Sequence, residues 1–522
     1  MKLIRTHSAI VSVMSGLALF CLCVSAHAAE TTKCEALAKL SLPGATIDKA
    51  RFVEAGAFVL PPGSIDTHAQ ATLSVLPHSY ASLPSFCRLE ATLRPTSESD
   101  IKVEVWMPES GWNNKFNVVG NGGWAGSIRY ADMAVSMYAG YATASTDTGH
   151  QGNSGVFGFG HPEKLTDYSY RAIHEMTVFA KAVVNSYYGG VPKKSYFSGC
   201  SLGGHQGLTE AAMYPQDFDG IVSGAPSLNW SRLNASRVYI NRYVNRSADS
   251  SLSPDKDALI HEAVLRACDN LDGVKDGVLE DPRKCHFDPK VLECKAGGSG
   301  CLTPAQVQSA AALYSPVISP KTGKQLYPPF MQPGSEKGWT GVAGPKPMPY
   351  AREALAYLVY KDPKWDGQNF SSPADVDDAL ARSTGLTDFD YPTLKPYFDH
   401  GGKLLIYHGW SDTTISPIGT VDYFQSISQR LGKSVVGKSI QLYMVPGMEH
   451  CGEGEGVNSF DKIGAMEQWM TTGHAPASIL ASRMENGKVE RTRPLCPYGQ
   501  IAKYKGSGDS NDATNFVCSV EQ

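Results

Sequence analysis

Three residues that lie far apart in this sequence, Ser201, Asp412 and His450, have the types and the order needed for nucleophilic acyl transfer. Ser201 lies in the segment GCSLG at 199–203, which matches the pattern G-x-S-x-G of a serine exposed on a tight strand-to-helix turn. Because the chain has 51 glycines, the pattern alone is weak evidence. The order serine, acid, histidine adds to it, although Asp412 and His450 could also be ordinary loop residues. We expect Ser201 to be the nucleophile, His450 the general base and Asp412 the acid that orients the imidazole.

The negative charge that forms on the carbonyl oxygen during acyl transfer needs two N–H donors. One should be the backbone N–H of Leu202, directly after the nucleophile. The other should come from the loop after a predicted strand at 115–119, from Gly122 or Gly123, because glycine lets the backbone approach a substrate closely. The alternative is that these glycines form a plain turn.

Two cysteines adjoin the predicted catalytic residues. Cys200 precedes Ser201 and Cys451 follows His450. A disulfide requires Cα atoms roughly 4.4–6.8 Å apart, so a Cys200–Cys451 bond would hold the nucleophile beside its base. The alternative is that each cysteine pairs elsewhere.

Predicted strands and helices surround these motifs in the way that an α/β fold requires. A strand at 195–199 precedes the nucleophile and a helix at 203–214 follows it. Asp412 and His450 each come directly after an apolar strand, where open α/β sheets place their sites. The alternation of strands and helices predicts a parallel sheet. The other predicted elements are strands at 101–107, 115–119, 139–146, 403–407 and 440–445, and a helix at 167–187.

The middle segment, residues 227–395, differs from the rest of the chain. It is rich in proline, glycine and aspartate and shows weak strand signals. We interpret it as a lid domain inserted into the catalytic domain, which would then consist of residues 29–226 and 396–522.

The overall composition excludes several classes of protein. The 522 residues carry a formal net charge of −4, which argues against binding to nucleic acid through phosphate contacts. The mean hydropathy of −0.22 argues against a multi-span membrane protein. Hydrophobic residues make up 42% of the chain, enough for a large core. The composition indicates a globular protein. From the predicted acyl-transfer chemistry we expect its partner to be a small-molecule ester substrate, and the oligomeric state stays open.

Residues 1–28 are typical of a secretory signal peptide. Two basic residues precede an apolar run, and Ala26-His27-Ala28 fits the small-x-small cleavage rule. An uncleaved membrane anchor is the alternative, but small polar residues interrupt the run. Cleavage would remove two of the 12 cysteines and leave ten, an even number typical of disulfides in a secreted or periplasmic protein. The chain has no C-x-x-C pair that would favour structural zinc.

An acidic turn at 268–278 has the composition of a cation site. It contains Asp269, Asp272 and Asp276 with two glycines. Three converging carboxylates would repel one another without a cation, and the carbonyls of Val274 and Val278 could complete an oxygen ligand set for Ca²⁺. The spacing is not that of an EF-hand, and a solvated Asp/Gly turn is the alternative.

Taken together, these motifs resemble those of the tannase and feruloyl esterase family over nearly the whole mature chain. The paired Cys-Ser and His-Cys motifs are the most specific of them. The motifs are GNGGWAG at 120–126, STDTGH at 145–150, GCSLGGHQG at 199–207, YPQDFDGIVSGAP at 214–226, the acidic turn, DPKWD at 362–366, HGWSD at 408–412 and PGMEHC at 446–451.

The resemblance implies an α/β-hydrolase fold with a large inserted lid and a serine esterase for esters of aromatic acids, feruloyl, other hydroxycinnamoyl or galloyl. It implies a disulfide beside the triad and a structural Ca²⁺ ion held by the five residues of the acidic turn. It also implies the remaining disulfides, which are Cys34–Cys87, Cys268–Cys285, Cys294–Cys301 and Cys496–Cys518.

Other activities remain as alternatives at this point. Hydrolysis of mono(2-hydroxyethyl) terephthalate also occurs in this family, but that enzyme has an acidic residue directly after its nucleophile, where this chain has Leu202. A serine peptidase on the same fold would usually carry a repeat-built gating domain, and no repeat is evident here. A non-catalytic binding protein would be marked by loss of a triad residue, and all three are present.

Overall fold

A computed structural model describes residues 32–64, 79–124, 126–295, 299–385, 388, 394–432, 434–485 and 487–520. The predicted signal peptide, residues 1–28, lies outside the described residues. Within these ranges, every helix is too short or too polar to cross a bilayer.

Nine strands form one mixed sheet with the order β1-β2-β3-β5-β4-β6-β7-β10-β11. From β5 to β11 all neighbours are parallel, whereas β1, β2, β3 and β5 pair antiparallel. The strands are β1 (Ala45–Val53), β2 (Phe86–Leu93), β3 (Ile101–Pro108), β4 (Lys115–Val119), β5 (Ala142–Thr146), β6 (Lys194–Cys200), β7 (Gly220–Gly224), β10 (Lys403–Gly409) and β11 (Ile440–Val445).

The prediction of a parallel sheet is therefore confirmed for one half and wrong for the other. Residues 94–100 join β2 to β3, and such a short connection can make a hairpin but cannot cross over a sheet as a parallel pair requires. The antiparallel strands β1 and β2 and the short strand β7 were absent from the sequence prediction. The α/β-hydrolase type of fold is confirmed.

The remaining strands form three small sheets, β8–β9, β12–β13–β14 and β15–β16. Their bounds are β8 (Val317–Ile318), β9 (Gln325–Tyr327), β12 (Ser459–Phe460), β13 (Ile479–Glu485), β14 (Lys488–Leu495), β15 (Gln500–Tyr504) and β16 (Phe516–Val520).

Thirteen α-helices lie within the described ranges. They are α1 (Tyr130–Tyr138), α2 (Pro162–Thr166), α3 (Ala172–Tyr188), α4 (Leu202–Met213), α5 (Trp230–Val244), α6 (Pro254–Cys268), α7 (Pro304–Leu313), α8 (Thr340–Ala343), α9 (Pro349–Glu353), α10 (Pro373–Arg382), α11 (Lys395–Asp399), α12 (Pro417–Leu431) and α13 (Lys462–Thr472).

The helix predicted at 167–187 begins differently from the expectation. Residues Asp167–Arg171 form a π-helical turn that leads into α3. An i,i+4 ion pair spans this turn, with Arg171 Nε 2.6 Å from Asp167 Oδ1. Further along, His174 Nδ1 contacts Asp217 Oδ2.

Both faces of the central sheet are covered, so most residues of its parallel strands are buried. In β10, Leu404 and Ile406 pack in the cluster that includes α3 and α12. Leu405 and Tyr407 pack on the opposite face in the cluster that includes α13. Alternation of side chains between the faces accounts for the continuous apolar run that predicted this strand.

All strands of the central sheet come before residue 225 or after residue 402, so the middle segment enters between the paired strands β7 and β10. This part of the chain is mainly helical and buries a core of its own, whose members include Leu233, Ile260, Leu313, Trp339 and Leu355. The exact boundaries at 227 and 395, and a lid role, stay predictions.

All five predicted disulfides are present, which confirms the pairing. They are Cys34–Cys87, Cys200–Cys451, Cys268–Cys285, Cys294–Cys301 and Cys496–Cys518.

Candidate active site

Ser201 occupies a strained turn between β6 and α4. Its φ of 64° and ψ of −119° lie in a region that residues with a side chain rarely adopt. Its N–H donates to the Gly224 carbonyl at 3.0 Å, and its own carbonyl accepts from the N–H of His205 at 3.1 Å. Such strain persists only where surrounding contacts enforce it, and it is a feature of a nucleophile turn.

Glycine is required where the turn packs against its neighbours. A Cβ on Gly204 would lie 2.2 Å from the Gly224 carbonyl oxygen, and a Cβ on Gly199 would lie 2.6 Å from the Gly203 carbonyl carbon. Both distances are shorter than atoms can approach, so Gly199 allows α4 to lie directly on β6 and Gly204 allows it to lie directly on β7. The glycines of GCSLGG are therefore needed for close packing of the turn, in addition to exposing the serine.

Asp412 lies in the loop after β10, fully buried. Its Oδ1 accepts from the backbone N–H groups of Thr414 at 2.7 Å and Ile415 at 2.9 Å. Its Oδ2 lies 2.7 Å from Nδ1 of His450. The predicted acid and base are therefore in contact, in the orientation expected for a triad.

A second histidine, His408, binds the same carboxylate oxygen. Its Nε2 lies 3.0 Å from Asp412 Oδ2 and 3.2 Å from the Ile415 carbonyl oxygen. Both partners can only accept, so we assign the proton of His408 to Nε2, while Nδ1 accepts from the Thr420 hydroxyl at 2.7 Å. The sequence analysis gave His408 no role. The available signal was a histidine at the end of an apolar strand, four residues before the acid.

These contacts fix the ionisation of the acid. Burial by itself would raise the pKa of Asp412, but the electrostatic interaction and hydrogen bonds with His450 and His408 hold that pKa well below its ordinary value. The carboxylate therefore stays ionised and keeps the proton of His450 on Nδ1. The lone pair on His450 Nε2 is then free to accept a proton.

The Cys200–Cys451 disulfide joins the two halves of the site. Its Cα atoms are 5.9 Å apart across a sequence separation of 251 residues. It places Ser201 and His450 on adjacent turns. Within the described part of the chain, the hydrogen bond between the Ser201 hydroxyl and His450 is not formed, as is common before a substrate binds.

The predicted oxyanion residues lie on two segments that are docked together. Leu202 is the first residue of α4, where backbone N–H groups lack partners within the helix. The loop after β4 is held to α4 because Asn121 accepts from the Gly203 N–H at 2.8 Å and donates its own N–H to the Gln206 side chain at 2.9 Å.

Gly122 and Gly123 follow directly in this loop. Gly123 has a φ of 59°, and its carbonyl accepts from the Tyr168 hydroxyl at 2.8 Å. Which of the two glycines faces an oxyanion stays a prediction.

Aromatic side chains surround the residue after the nucleophile. Leu202 packs in a buried cluster with Trp124, Tyr168 and Trp230, against which Tyr350 also packs. The rings of Trp124 and Trp230 meet edge to face with centroids 5.0 Å apart. The surroundings of the nucleophile are therefore apolar and aromatic, with contributions from the middle segment.

The acidic turn at 268–278 is ordered by hydrogen bonds within it. Asp269 Oδ1 accepts from the Gly277 N–H at 3.1 Å, and Asp272 Oδ1 accepts from the Val274 N–H at 2.9 Å. Asp276 accepts from the Val278 N–H and from Arg493. The three carboxylates do not converge within 4.8 Å of one another in the described residues.

The charge in this turn is only partly neutralised. Burial, opposed by the Val274 hydrogen bond and aided by Asp276, raises the pKa of Asp272 to about 6. Burial also raises the pKa of the adjacent Glu280 to about 8. Glu280, which the sequence analysis did not single out, accepts from the Ala502 N–H at 2.7 Å. Buried carboxylates and backbone carbonyls are the hard oxygen donors that Ca²⁺ requires, so the residues present fit that ion chemically.

Comparison with known proteins identifies relatives across the chain. The family model described as tannase and feruloyl esterase matches residues 87–519. An esterase from Xanthomonas campestris is 34% identical, with 94% of this chain and 92% of that protein covered. A probable feruloyl esterase B-2 from Aspergillus terreus is 32% identical, with 94% and 95% covered. The crystal structure of feruloyl esterase B from Aspergillus oryzae superposes with a TM-score of 0.85 at 30% identity, covering 94% of this chain and all of that one.

The Cys200–Cys451 disulfide can be tested by replacing both cysteines with alanine. We expect the free energy of unfolding to fall by about 2–5 kcal/mol. We also expect kcat for ester hydrolysis to fall at least about tenfold, because small displacements of catalytic groups are costly. The control is the matching double variant of Cys294 and Cys301, which should keep kcat. The disulfide that it removes lies in the middle segment and joins cysteines only 7 residues apart in sequence. Full kcat in the first variant would show that the bond does not position the triad.

The role of His408 can be tested by His408→Leu. The loss of a hydrogen bond to a charged group, worth about 1.5–3 kcal/mol, should lower kcat roughly 10- to 100-fold while KM changes little. His408→Gln, which keeps an N–H donor, should recover part of that loss. Thr420→Val removes only the other partner of His408 and should cost less. The thermal stability of each variant is measured in parallel. Equal losses of kcat in His408→Leu and Thr420→Val would indicate that His408 has only a structural role.

Proposed function

This chain belongs to the tannase and feruloyl esterase family, and on that premise we propose that it is a secreted serine esterase that cleaves esters of aromatic acids. Carboxylic ester hydrolysis of the tannase and feruloyl esterase type follows from the family itself. The serine mechanism, the acid that is recognised, export and bound calcium are the parts that we propose.

The observation that carries the serine mechanism is the ionised, buried Asp412 in contact with His450, joined by a disulfide to the strained turn of Ser201. In this mechanism the Ser201 oxygen attacks the ester carbonyl carbon while Nε2 of His450 takes its proton. The tetrahedral oxyanion is stabilised by the Leu202 N–H and by Gly122 or Gly123. His450 then protonates the leaving alcohol, and a water molecule activated in the same way releases the acid.

The aromatic cluster around Leu202 supports an aromatic acid as the acyl group. Trp124 and Trp230 pack with Leu202, the residue after Ser201, and aromatic rings interact favourably with another planar ring. Several relatives are named feruloyl esterases, which agrees with feruloyl or galloyl esters as substrates. Hydrolysis of mono(2-hydroxyethyl) terephthalate ranks second, because the enzyme with that activity has an acidic residue directly after its nucleophile and this chain has Leu202 there.

Export and calcium complete the proposal. Five disulfides are typical of a protein from an oxidising compartment, and they support removal of residues 1–28 as a signal peptide. Asp269, Asp272 and Asp276 would hold Ca²⁺ together with the carbonyls of Val274 and Val278. The ion would neutralise the turn that the Cys268–Cys285 disulfide braces. The middle segment would act as a lid that carries this site and covers the substrate.

The substrate class is tested by giving the mature protein methyl ferulate, methyl gallate, mono(2-hydroxyethyl) terephthalate and an aliphatic methyl ester in parallel. We expect the highest kcat/KM for a ferulate or gallate ester, because the acyl surroundings are aromatic. Ser201→Ala should lower kcat by several orders of magnitude without loss of folded protein. Turnover of none of the aromatic esters, or full activity of the Ser201→Ala variant, would refute the proposal.

Calcium is tested by metal analysis of protein never exposed to chelator, and by thermal unfolding after chelation. We expect about one Ca²⁺ per chain. At a hundredfold excess over Kd the ion would add about 2.7 kcal/mol of stability, which chelation removes and Ca²⁺ restores, whereas Mg²⁺ restores less. Asp272→Asn should abolish the response, with Asp281→Asn, just outside the ligand set, as its matched control. A protein that contains no calcium, and whose unfolding temperature does not change when chelator is added, would exclude the calcium site.

A further inference from the structure

A second group of metal-ligating side chains lies away from the active site. His174, Glu210 and Asp217 each place one donor atom within 4.8 Å of the donor atoms of the other two, the only such group of three or more among the described residues. His174 lies in the first turn of α3 and Glu210 in the last turn of α4. Asp217 lies in the connection from α4 to β7. The group therefore joins three consecutive parts of the fold around the nucleophile helix.

The carboxyl group of Glu210 is almost completely buried without a donor beside it. The residue is 1% exposed, neither carboxyl oxygen receives a hydrogen bond from a neighbouring N–H or hydroxyl group, and the carboxyl group of Asp217 interacts with it. A charged carboxylate in such a place is unfavourable unless a proton or a cation accompanies it. Its carboxyl group faces that of Asp217, so two acidic side chains lie side by side.

The basic groups nearby bond to Asp217, and none of them donates a hydrogen bond to the Glu210 carboxyl group. Nδ1 of His174 lies 2.7 Å from Asp217 Oδ2 and serves Asp217 alone. The ammonium group of Lys181 donates to the backbone carbonyl of Asp217, not to a carboxylate. The His174 ring is held flat against Tyr214, with centroids 3.7 Å apart and planes 8° from parallel.

We propose that His174, Glu210 and Asp217 bind a divalent transition-metal cation, for which Zn²⁺ is the best match. One imidazole nitrogen with two carboxylate oxygens is a donor set that zinc accepts, with water as a fourth ligand. Ca²⁺ takes six to eight oxygen ligands and is disfavoured by the imidazole. The His174 side chain is 28% exposed and that of Asp217 is 13% exposed, so an ion and its water can enter from the side of His174.

The bound ion would act on stability and not on the chemical step. Glu210 follows Ser201 by more than two turns of α4, which at 1.5 Å per residue puts it on the order of 13 Å from the nucleophile. The ion would tie the end of α4 to α3 and to the connection before β7. The position of the nucleophile helix on the sheet would then depend partly on metal.

The test is titration of Zn²⁺ into mature protein that has been stripped with a chelator, dialysed and saturated with Ca²⁺ so that the acidic turn is occupied. We expect one site per chain by calorimetry, a rise in the unfolding temperature with Zn²⁺, and no such rise with Mg²⁺. Tetrahedral Co²⁺ absorption in the visible range would report an imidazole and carboxylate ligand set. None of these readouts depends on esterase activity or on its substrate.

Variants decide between a metal and a shared proton. Glu210→Gln and Asp217→Asn should each weaken Zn²⁺ binding at least about tenfold, and His174→Gln, nearer to solvent, gives a third variant should one of the others not fold. The matched controls are Glu175→Gln and His161→Gln, which should bind as the parent does. If the parent does not bind Zn²⁺, or if binding persists in the three site variants, the proposal is wrong. A Glu210→Gln protein that is as stable as the parent and equally indifferent to Zn²⁺ would assign a proton to Glu210 instead.

Discussion

A buried negative charge on Asp412 is the constraint around which the catalytic region is organised. An isolated carboxylate in a protein interior would be neutralised by a shift of its pKa. Here four donors, the N–H groups of Thr414 and Ile415 and the imidazoles of His408 and His450, keep it ionised. These donors lie on the end of β10, on the loop that follows it and on the loop after β11. Satisfying one charge therefore aligns the ends of two neighbouring strands.

Ser201, the proposed nucleophile, is brought to this arrangement in a different way. The turn at Ser201 has an unfavourable φ, and glycines on both sides of it let α4 contact β6 and β7 directly. The Cys200–Cys451 disulfide then connects that turn to the loop of His450. The donors to Asp412 fix the positions of Asp412 and His450, and the disulfide brings Ser201 close to them. His450 takes part in both arrangements, because it donates to Asp412 and precedes Cys451 in the chain.

Much of this site could be predicted because its residues lie in or directly after recognisable sequence patterns. Ser201 sits in a short pattern, and Asp412 and His450 each follow an apolar strand, so local sequence located all three. The cysteines that follow the predicted signal peptide are even in number, and every pairing implied by the resemblance is present.

His408 was not predicted because the sequence alone does not distinguish a functional histidine at the end of a strand from a buried histidine with a structural role. Only the fold shows that it shares an oxygen with His450. Strand β2 was missed for a related reason. Arg88 has the character of a surface residue, yet it is buried because Glu104 of β3 pairs with it at 2.8 Å. Interactions between residues distant in the chain, including those of Glu210 with its neighbours, leave no local pattern.

The place where the middle segment enters the sheet bears on how the chain folds. Strands β7 and β10 are hydrogen-bonded neighbours, with Ile221 opposite Leu404, yet the whole middle segment separates them along the chain. Bringing such distant strands together costs loop-closure entropy, and pairings of this kind slow folding. A middle segment that first collapses on its own core shortens the effective loop and brings its two ends close together. Strands β7 and β10, at the centre of the sheet, would then pair late in folding, after the middle segment has become compact.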